Sequence, residues 1–263
     1  MQTATAPSTF FPWPGTRRAA VSLSFDDGMP SQLARAVPML DRVGFRGTFY
    51  LNPRDGWERD LEPWRAVAAS GHELGNHTVT HPCSNQFGWS DDGTRRPLEQ
   101  LTLWDIERDI ALAAERLHAF CPDQGRVSFA YPCYQTWIGQ GAAHQSYVPV
   151  VARYCTAGRT RGERTVDPAT CDLFHLNSLP VEFRPGGELV AIAEETLEDN
   201  RWAIFTFHGV EDGHLSVTEQ ALQTLVDWLA RNADRVWVDT VQRVADHVRN
   251  QRDTPGAGLA SGP

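Results

Sequence analysis

The chain has 263 residues, enough for one large α/β domain or two small ones, and for a core that needs no staples. It is 41% hydrophobic and 22% charged, the balance of a soluble globular protein rather than a disordered or fibrous one. The net charge of -9 argues against a nucleic-acid partner, and because every basic side chain is arginine, a Schiff-base lysine and a phosphate-loop lysine are excluded.

Met1–Thr9 carries no charged segment leading into an apolar run, so no secretory signal is read there, and no stretch approaches transmembrane length. The five cysteines (Cys83, Cys121, Cys133, Cys155 and Cys171) form an odd set without a CxxC spacing. Reduced thiols in a cytoplasmic protein with no membrane contact are therefore expected. Residues 1–18, rich in Pro and aromatics, are expected to form an extended arm ahead of a single domain over 19–250. The Gly/Pro/Ser-rich stretch 251–263 is expected to be a disordered tail.

Ala19–Phe25 reads as a buried strand running into Asp26-Asp27-Gly28. Pro30 and Ser31 open a helical pattern that Gly44 ends. Strands are expected at 47–51 and 72–76, with a short helix around 64–69 between them. A polar loop covers 83–100. Thr102 fits an N-cap, with Asp105 three residues on, for a long helix to about Phe120. Further strands are expected at 127–130, 154–157, 172–179, 202–208 and 236–239. Helices are expected at 146–153, 188–200, 218–231 and 241–250. Alternation of strand and helix throughout predicts a parallel sheet covered by helices, close in count to a (β/α) barrel. Asp26, Asp27, His77, Pro132 and His208 all fall at strand ends, where such folds gather their chemistry.

Asp26-Asp27-Gly28 by itself also fits an ordinary turn. Two adjacent carboxylates repel, however, and a divalent cation removes the conflict by taking one as a ligand and leaving the other to handle protons. His77-Thr78-Val79-Thr80-His81 places two imidazoles four residues apart. With one Asp they would make a three-ligand site with an open position, the pattern of catalytic zinc, although such pairs also occur as surface or core histidines. His208, after Phe205-Thr206-Phe207 and before Gly209, either points into the ring of strand ends or is a satisfied core residue.

SFDDG, HTVTHP and FTFHG, in this order and on these elements, resemble the polysaccharide deacetylase family of carbohydrate esterases (the NodB-homology domain) over roughly residues 19–248. The resemblance implies a distorted (β/α) barrel. It implies Asp26 as general base, Asp27, His77 and His81 as metal ligands, and His208 as general acid. It further implies a divalent cofactor, zinc first, with cobalt, nickel or manganese as alternatives. The reaction implied is removal of acetyl groups from an acetylated oligosaccharide or amino sugar. A backbone N–H near Cys133 would meet the oxyanion.

Two departures stand out. The family's third-motif Arg, which orients the base, falls on Ala130 within Phe129-Ala130-Tyr131-Pro132-Cys133-Tyr134. The fourth-motif Asp-Trp pair is missing from Cys155–Gly162. Either Arg159 supplies the guanidinium that Ala130 cannot, or Arg159 and Arg161 are solvated loop residues. Tyr134, Trp89 and Trp137 lie in or beside loops and are expected to stack on sugar. Cys83 and Cys133 are expected to be small buried thiols. Two rival functions stay open: hydrolysis of a non-sugar amide such as a cyclic imide or ureide, and non-catalytic sugar or metal binding.

Overall fold

The computed structural model describes residues 10–87, 96–213 and 215–254. Its strands, in chain order, are β1 (Ala19–Asp26), β2 (Thr48–Leu51), β3 (Glu73–Asn76), β4 (Phe129–Ala130), β5 (Trp137–Ile138), β6 (Gln145–Ser146), β7 (Gly158–Arg161), β8 (Leu176–Pro180), β9 (Trp202–Phe207) and β10 (Val236–Val238). All pairings in the main sheet are parallel, in the order β10-β1-β2-β3-β4-β7-β8-β9. Pairing of β1 with β9 closes β1, β2, β3, β4, β7, β8 and β9 into a seven-stranded barrel. β10 shares one edge of β1 with β2: it pairs with Ala19–Val21, whereas β2 pairs with Ser24–Asp26. β5 and β6 form a separate antiparallel hairpin. The expected single-domain distorted (β/α) barrel is the observed fold.

Two-residue alternation along β1 explains the barrel wall. Val21, Leu23 and Phe25 belong to the outer core beneath the helices, which include α1 (Val37–Arg42), and Phe25 stacks between Phe49 and Phe207. Ser22, Ser24 and Asp26 face the other way, into an interior whose serine and threonine hydroxyls are hydrogen-bonded. Trp202 Nε1 donates to Ser22 Oγ, Thr206 Oγ1 to Ser178 Oγ, and Ser178 Oγ to the Thr160 carbonyl. Such pairing is what makes buried polar groups tolerable. The arm is not loose where it is described: Trp13 is buried in a second cluster with Trp202, Val241 and Val244.

Helices α2 (Trp57–Asp60) and α3 (Arg65–Ala69) precede β3. Helix α4 (Leu103–Phe120) starts at a capping box: Thr102 accepts from the Asp105 amide, and the Asp105 side chain accepts from the Thr102 amide. Among the described residues no helix is long and apolar enough to cross a membrane. Helix α5 (Val148–Tyr154) displaces one expected strand. With Pro149 in its first turn, it runs through the strand-like Tyr154, and pairing begins only at Gly158. Arg159 therefore lies inside a barrel strand. Helices α6 (Gly186–Glu198), α7 (Glu219–Arg231) and α8 (Val241–Asp253) complete the shell. α8 extends through residues 251–253 of the expected tail; residues 255–263 lie outside the described residues.

Gly75 on β3 is required by packing between neighbouring strands. The Tyr50 ring passes over it so that Tyr50 Oη can meet Ser128 Oγ at 2.7 Å, and a Cβ on Gly75 would sit 2.4 Å from that ring. Gly75→Ala is expected to destabilise the protein by about 1–3 kcal/mol through overpacking. A urea midpoint equal to that of the wild type would show that the ring can move aside freely.

Candidate active site

Five side chains converge at the C-terminal mouth of the barrel. Asp26 ends β1 and is buried, while Asp27 turns into the left-handed region (φ 71°) and points its carboxylate outward, about one-third exposed. His77 follows β3, and His81 closes the next turn with φ 53°. Asp27 Oδ1 lies 3.6 Å from His77 Nε2 and 3.5 Å from His81 Nε2, and Asp27 Oδ2 lies 4.0 Å from His208 Nε2. The ligand atoms of Asp27, His77 and His81 all fall within 4.8 Å of one another.

The two imidazoles sit in hydrogen-bonded surroundings. His77 Nδ1 is 2.8 Å from the Ala130 carbonyl, which can only accept, so the proton sits on Nδ1 and the lone pair on Nε2 faces Asp27. Burial pushes the His77 pKa down to about 4, against the attraction of Asp26, so the ring is neutral at pH 7. His81 Nδ1 lies 3.6 Å from Cys83 Sγ. A two-histidine, one-carboxylate set suits a zinc-like divalent ion.

The loop that carries both histidines is held from beneath. Asn52 Nδ2 donates to the carbonyls of His77 and Thr78 at 2.6 and 3.0 Å. Asp109 on α4 accepts from the Val79 and Thr80 amides and from Thr80 Oγ1. Thr78 is itself left-handed (φ 62°), and its hydroxyl accepts from the His81 amide at 2.9 Å. Local strain of this kind persists only where neighbours over-determine it. Sequence reading missed Asn52 and Asp109 because neither is near the loop in the chain.

Arg159 is fully buried, and its Nη2 pairs with Asp26 Oδ1. Its guanidinium also lies over the Tyr50 ring, 4.7 Å from the centroid. Parallel pairing sets Ala130 opposite Arg159, so the two side chains project from the same face of adjacent strands. Burial alone would raise the Asp26 carboxyl pKa. Arg159, helped by His77 and His208, overcomes this and holds it below the ordinary carboxylate value. Gln32 then ties the two strand ends together, donating from Nε2 to the carbonyls of Asp26 and His208 at 2.5 and 3.0 Å.

A cleft of about 750 Å³ opens over these groups. Cys133 and Tyr134 line it from a turn in which both are left-handed, with φ 51° and 60°. The Tyr134 amide is committed to the Tyr131 carbonyl and the Gln135 amide to that of Pro132, bonds in which the Cys133 amide takes no part. Met29, Phe87, Arg161, Glu182 and Leu215 also line the cleft, a set that no motif signalled. Trp137 is not among the lining residues. It sits on β5, packs against His144 at 4.8 Å and joins the cluster around Tyr131 and Tyr147, because the hairpin turns it away from the barrel mouth. Trp89 lies outside the described residues.

Cys83 and Cys133 are not separate thiols. They form a disulfide with Cα atoms 5.7 Å apart, which the separation of 50 residues concealed in the sequence. Cys121, Cys155 and Cys171 are free. The bond joins the histidine loop to the Cys133 turn, and such bonds persist in oxidising surroundings.

Residues 14–136 match the family model for polysaccharide deacetylase. The fold is that of a Mycobacterium smegmatis protein assigned as a polysaccharide deacetylase, with a TM-score of 0.66 at 16% identity over 95% of this chain and 96% of that one. It is likewise that of a family 4 acetyl xylan esterase from Clostridium thermocellum solved with a cobalt ion, at TM-score 0.54, 17% identity, 87% of this chain and 91% of that one. A gellan lyase of Bacillus sp is 32% identical over 273 residues, covering 92% of this chain and 10% of that protein, so the chain spans about a tenth of the length of that curated relative. The matched region and the fold thus liken the chain to polysaccharide deacetylases, hydrolases that act on amide or ester bonds of carbohydrates.

Because Asp109 anchors the loop without touching the ligand atoms, Asp109→Ala is expected to weaken binding of Zn²⁺ roughly 10- to 100-fold, the usual effect of losing a supporting partner. Isothermal titration with the metal reads this directly, and an unchanged affinity would show that Asn52 and Thr78 suffice to hold the loop.

Proposed function

We propose that the protein is a metal-dependent deacetylase that removes an acetyl group from nitrogen or oxygen of a carbohydrate. The convergence of Asp27, His77 and His81 within 4.8 Å, flanked by Asp26 and His208 in one cleft, carries this reading. Asp27, His77 and His81 would hold the divalent ion, zinc being the best match to two imidazoles and one carboxylate. When bound, such an ion polarises the acyl carbonyl and lowers the pKa of water.

The chain's own groups supply the rest. Asp26, kept ionised by Arg159, takes a proton from the attacking water as general base. The Cys133 amide faces the oxygen on which negative charge develops. His208 gives a proton from Nε2 to the departing nitrogen or oxygen, and Gln32 keeps it in register with Asp26. Tyr134, at the edge of the cleft, packs against the sugar. Arg159 acts through Asp26 as a positioning residue.

Turnover of acetylated chito- and xylo-oligosaccharides, set against cyclic imides and ureides, tests the substrate class. Hydrolysis confined to the imides would replace this reading with the non-sugar one, and metal binding without turnover of any acyl substrate would support a purely binding role. Dialysis against a chelator is expected to abolish turnover and Zn²⁺ or Co²⁺ to restore it. Full activity in metal-free protein would sink the mechanism.

The Arg159–Asp26 pair also makes a pH prediction. A carboxyl held below its ordinary value stays ionised as pH falls through that value, and the stability it contributes is lost only as pH drops through the lowered one. In Arg159→Leu burial is opposed only by His77 and His208, so the acidic limb of kcat/KM is expected to move to higher pH and kcat to fall. Breaking a buried pair from one side also costs about 3–5 kcal/mol of stability. An unshifted acidic limb in a folded variant would remove Asp26 as the base that Arg159 tunes.

A further inference from the structure

The Cys83–Cys133 disulfide lies against the candidate metal group, and the proposed chemistry uses neither sulfur. Cys83 follows His81 by two residues, its Sγ 3.6 Å from His81 Nδ1. Cys133 reaches the same place from the turn after β4 and lines the cleft. The ligand atoms of His81, Cys83 and Cys133 lie within 4.8 Å of one another, as do those of Asp27, His77 and His81. The two groups share His81 and nothing else.

We propose that reduction of the Cys83–Cys133 bond creates a second metal site, made of the two cysteine sulfurs and His81 Nδ1, which takes a thiophilic divalent ion such as Zn²⁺ in competition with the Asp27–His77–His81 group. The sulfur site stands on its own geometry; the competition rests on the function proposed above. A small dithiol entering the cleft supplies two electrons and two protons to the sulfur–sulfur bond and leaves as its own cyclic disulfide, and the two cysteines become thiols. When the ion binds, both thiols release their protons to solvent and both sulfurs become thiolate ligands. Two thiolates and an imidazole form a softer, more zinc-selective set than one carboxylate and two imidazoles.

His81 makes the two sites exclusive. A neutral imidazole has one N–H and one lone pair. With Nε2 as ligand beside Asp27, the proton is on Nδ1 and faces Cys83. With Nδ1 as ligand to the sulfur site, the proton moves to Nε2, and Asp27 and His77 lose their third partner. The bond is accessible from the substrate side, since Cys133 is only partly buried and lines the cleft. Redox state thus selects which of two overlapping sites holds the ion.

Co²⁺ is the probe, added to the full chain either oxidised or reduced with dithiothreitol that is then removed anaerobically. The oxidised protein is expected to bind one Co²⁺ without a thiolate-to-cobalt charge-transfer band. The reduced protein is expected to bind one Co²⁺ per chain with that band, and prior alkylation of its thiols to abolish it. Cys83→Ser, which has only one sulfur at the site, should give at most half the band intensity. Turnover of the reduced protein with one equivalent of metal should be lost and return on reoxidation. Absence of the band in reduced, unalkylated protein overturns the sulfur site, and a band accompanied by two bound ions overturns the competition. A band in the reduced protein with no Co²⁺ bound in the oxidised one would leave the sulfur site standing and remove the Asp27–His77–His81 group. Binding and turnover in the oxidised protein with no band after reduction would do the reverse.

Discussion

A guanidinium and a carboxylate buried together inside a barrel govern the arrangement of this protein. Asp26 cannot remain charged in that interior without a cation beside it, and Arg159 cannot be enclosed without an anion. Each is a condition of the other, and several neighbours make sense only as supports for the pair. Tyr50 lays its ring under the guanidinium, Ser128 fixes the Tyr50 hydroxyl, and Gly75 has no side chain because the ring crosses over it. The pair connects β1 to β7, strands that are not neighbours in the sheet, so it also braces the barrel across its interior.

The source of the arginine shows how a parallel sheet can deliver one group from either of two adjacent strands. The family resemblance would place the guanidinium at Ala130. The Ala130 carbonyl accepts the His77 Nδ1 proton. The guanidinium comes from Arg159, its register partner on the adjacent strand. Since paired residues in a parallel sheet share a face, a shift of one strand delivers the same group to the same interior.

The mouth of the barrel is assembled from backbone that few residues adopt willingly. Asp27, Thr78, His81, Cys133 and Tyr134 all have positive φ without being glycine. What holds them differs from one to the next: Asn52 and Asp109 for the histidine loop, and the disulfide between that loop and the Cys133 turn. Such geometry stores strain where ligands must be aimed, and the rigid strands below absorb it.

The strands, their alternation with helices and the three motifs were legible locally, since each depends on residues adjacent in the chain. The two-residue period of β1 places its serines and Asp26 on one face, and Thr102 with Asp105 marks the start of α4. The candidate ligands Asp27, His77 and His81 could be picked out because each lies beside a strand end that its own sequence creates. What the chain did not disclose is everything set by pairing at a distance. The register that brings Arg159 beside Ala130, the closure of Cys83 on Cys133, the reach of Asp109 from α4 and the turning away of Trp137 all depend on how strands are laid side by side. Linear spacing carries no record of that, because a parallel barrel joins residues through crossovers whose length does not determine register. The sequence alone therefore determined the chemistry available at the strand ends. Only the tertiary structure decided which arginine faces which aspartate, and which cysteines meet behind a candidate ligand histidine.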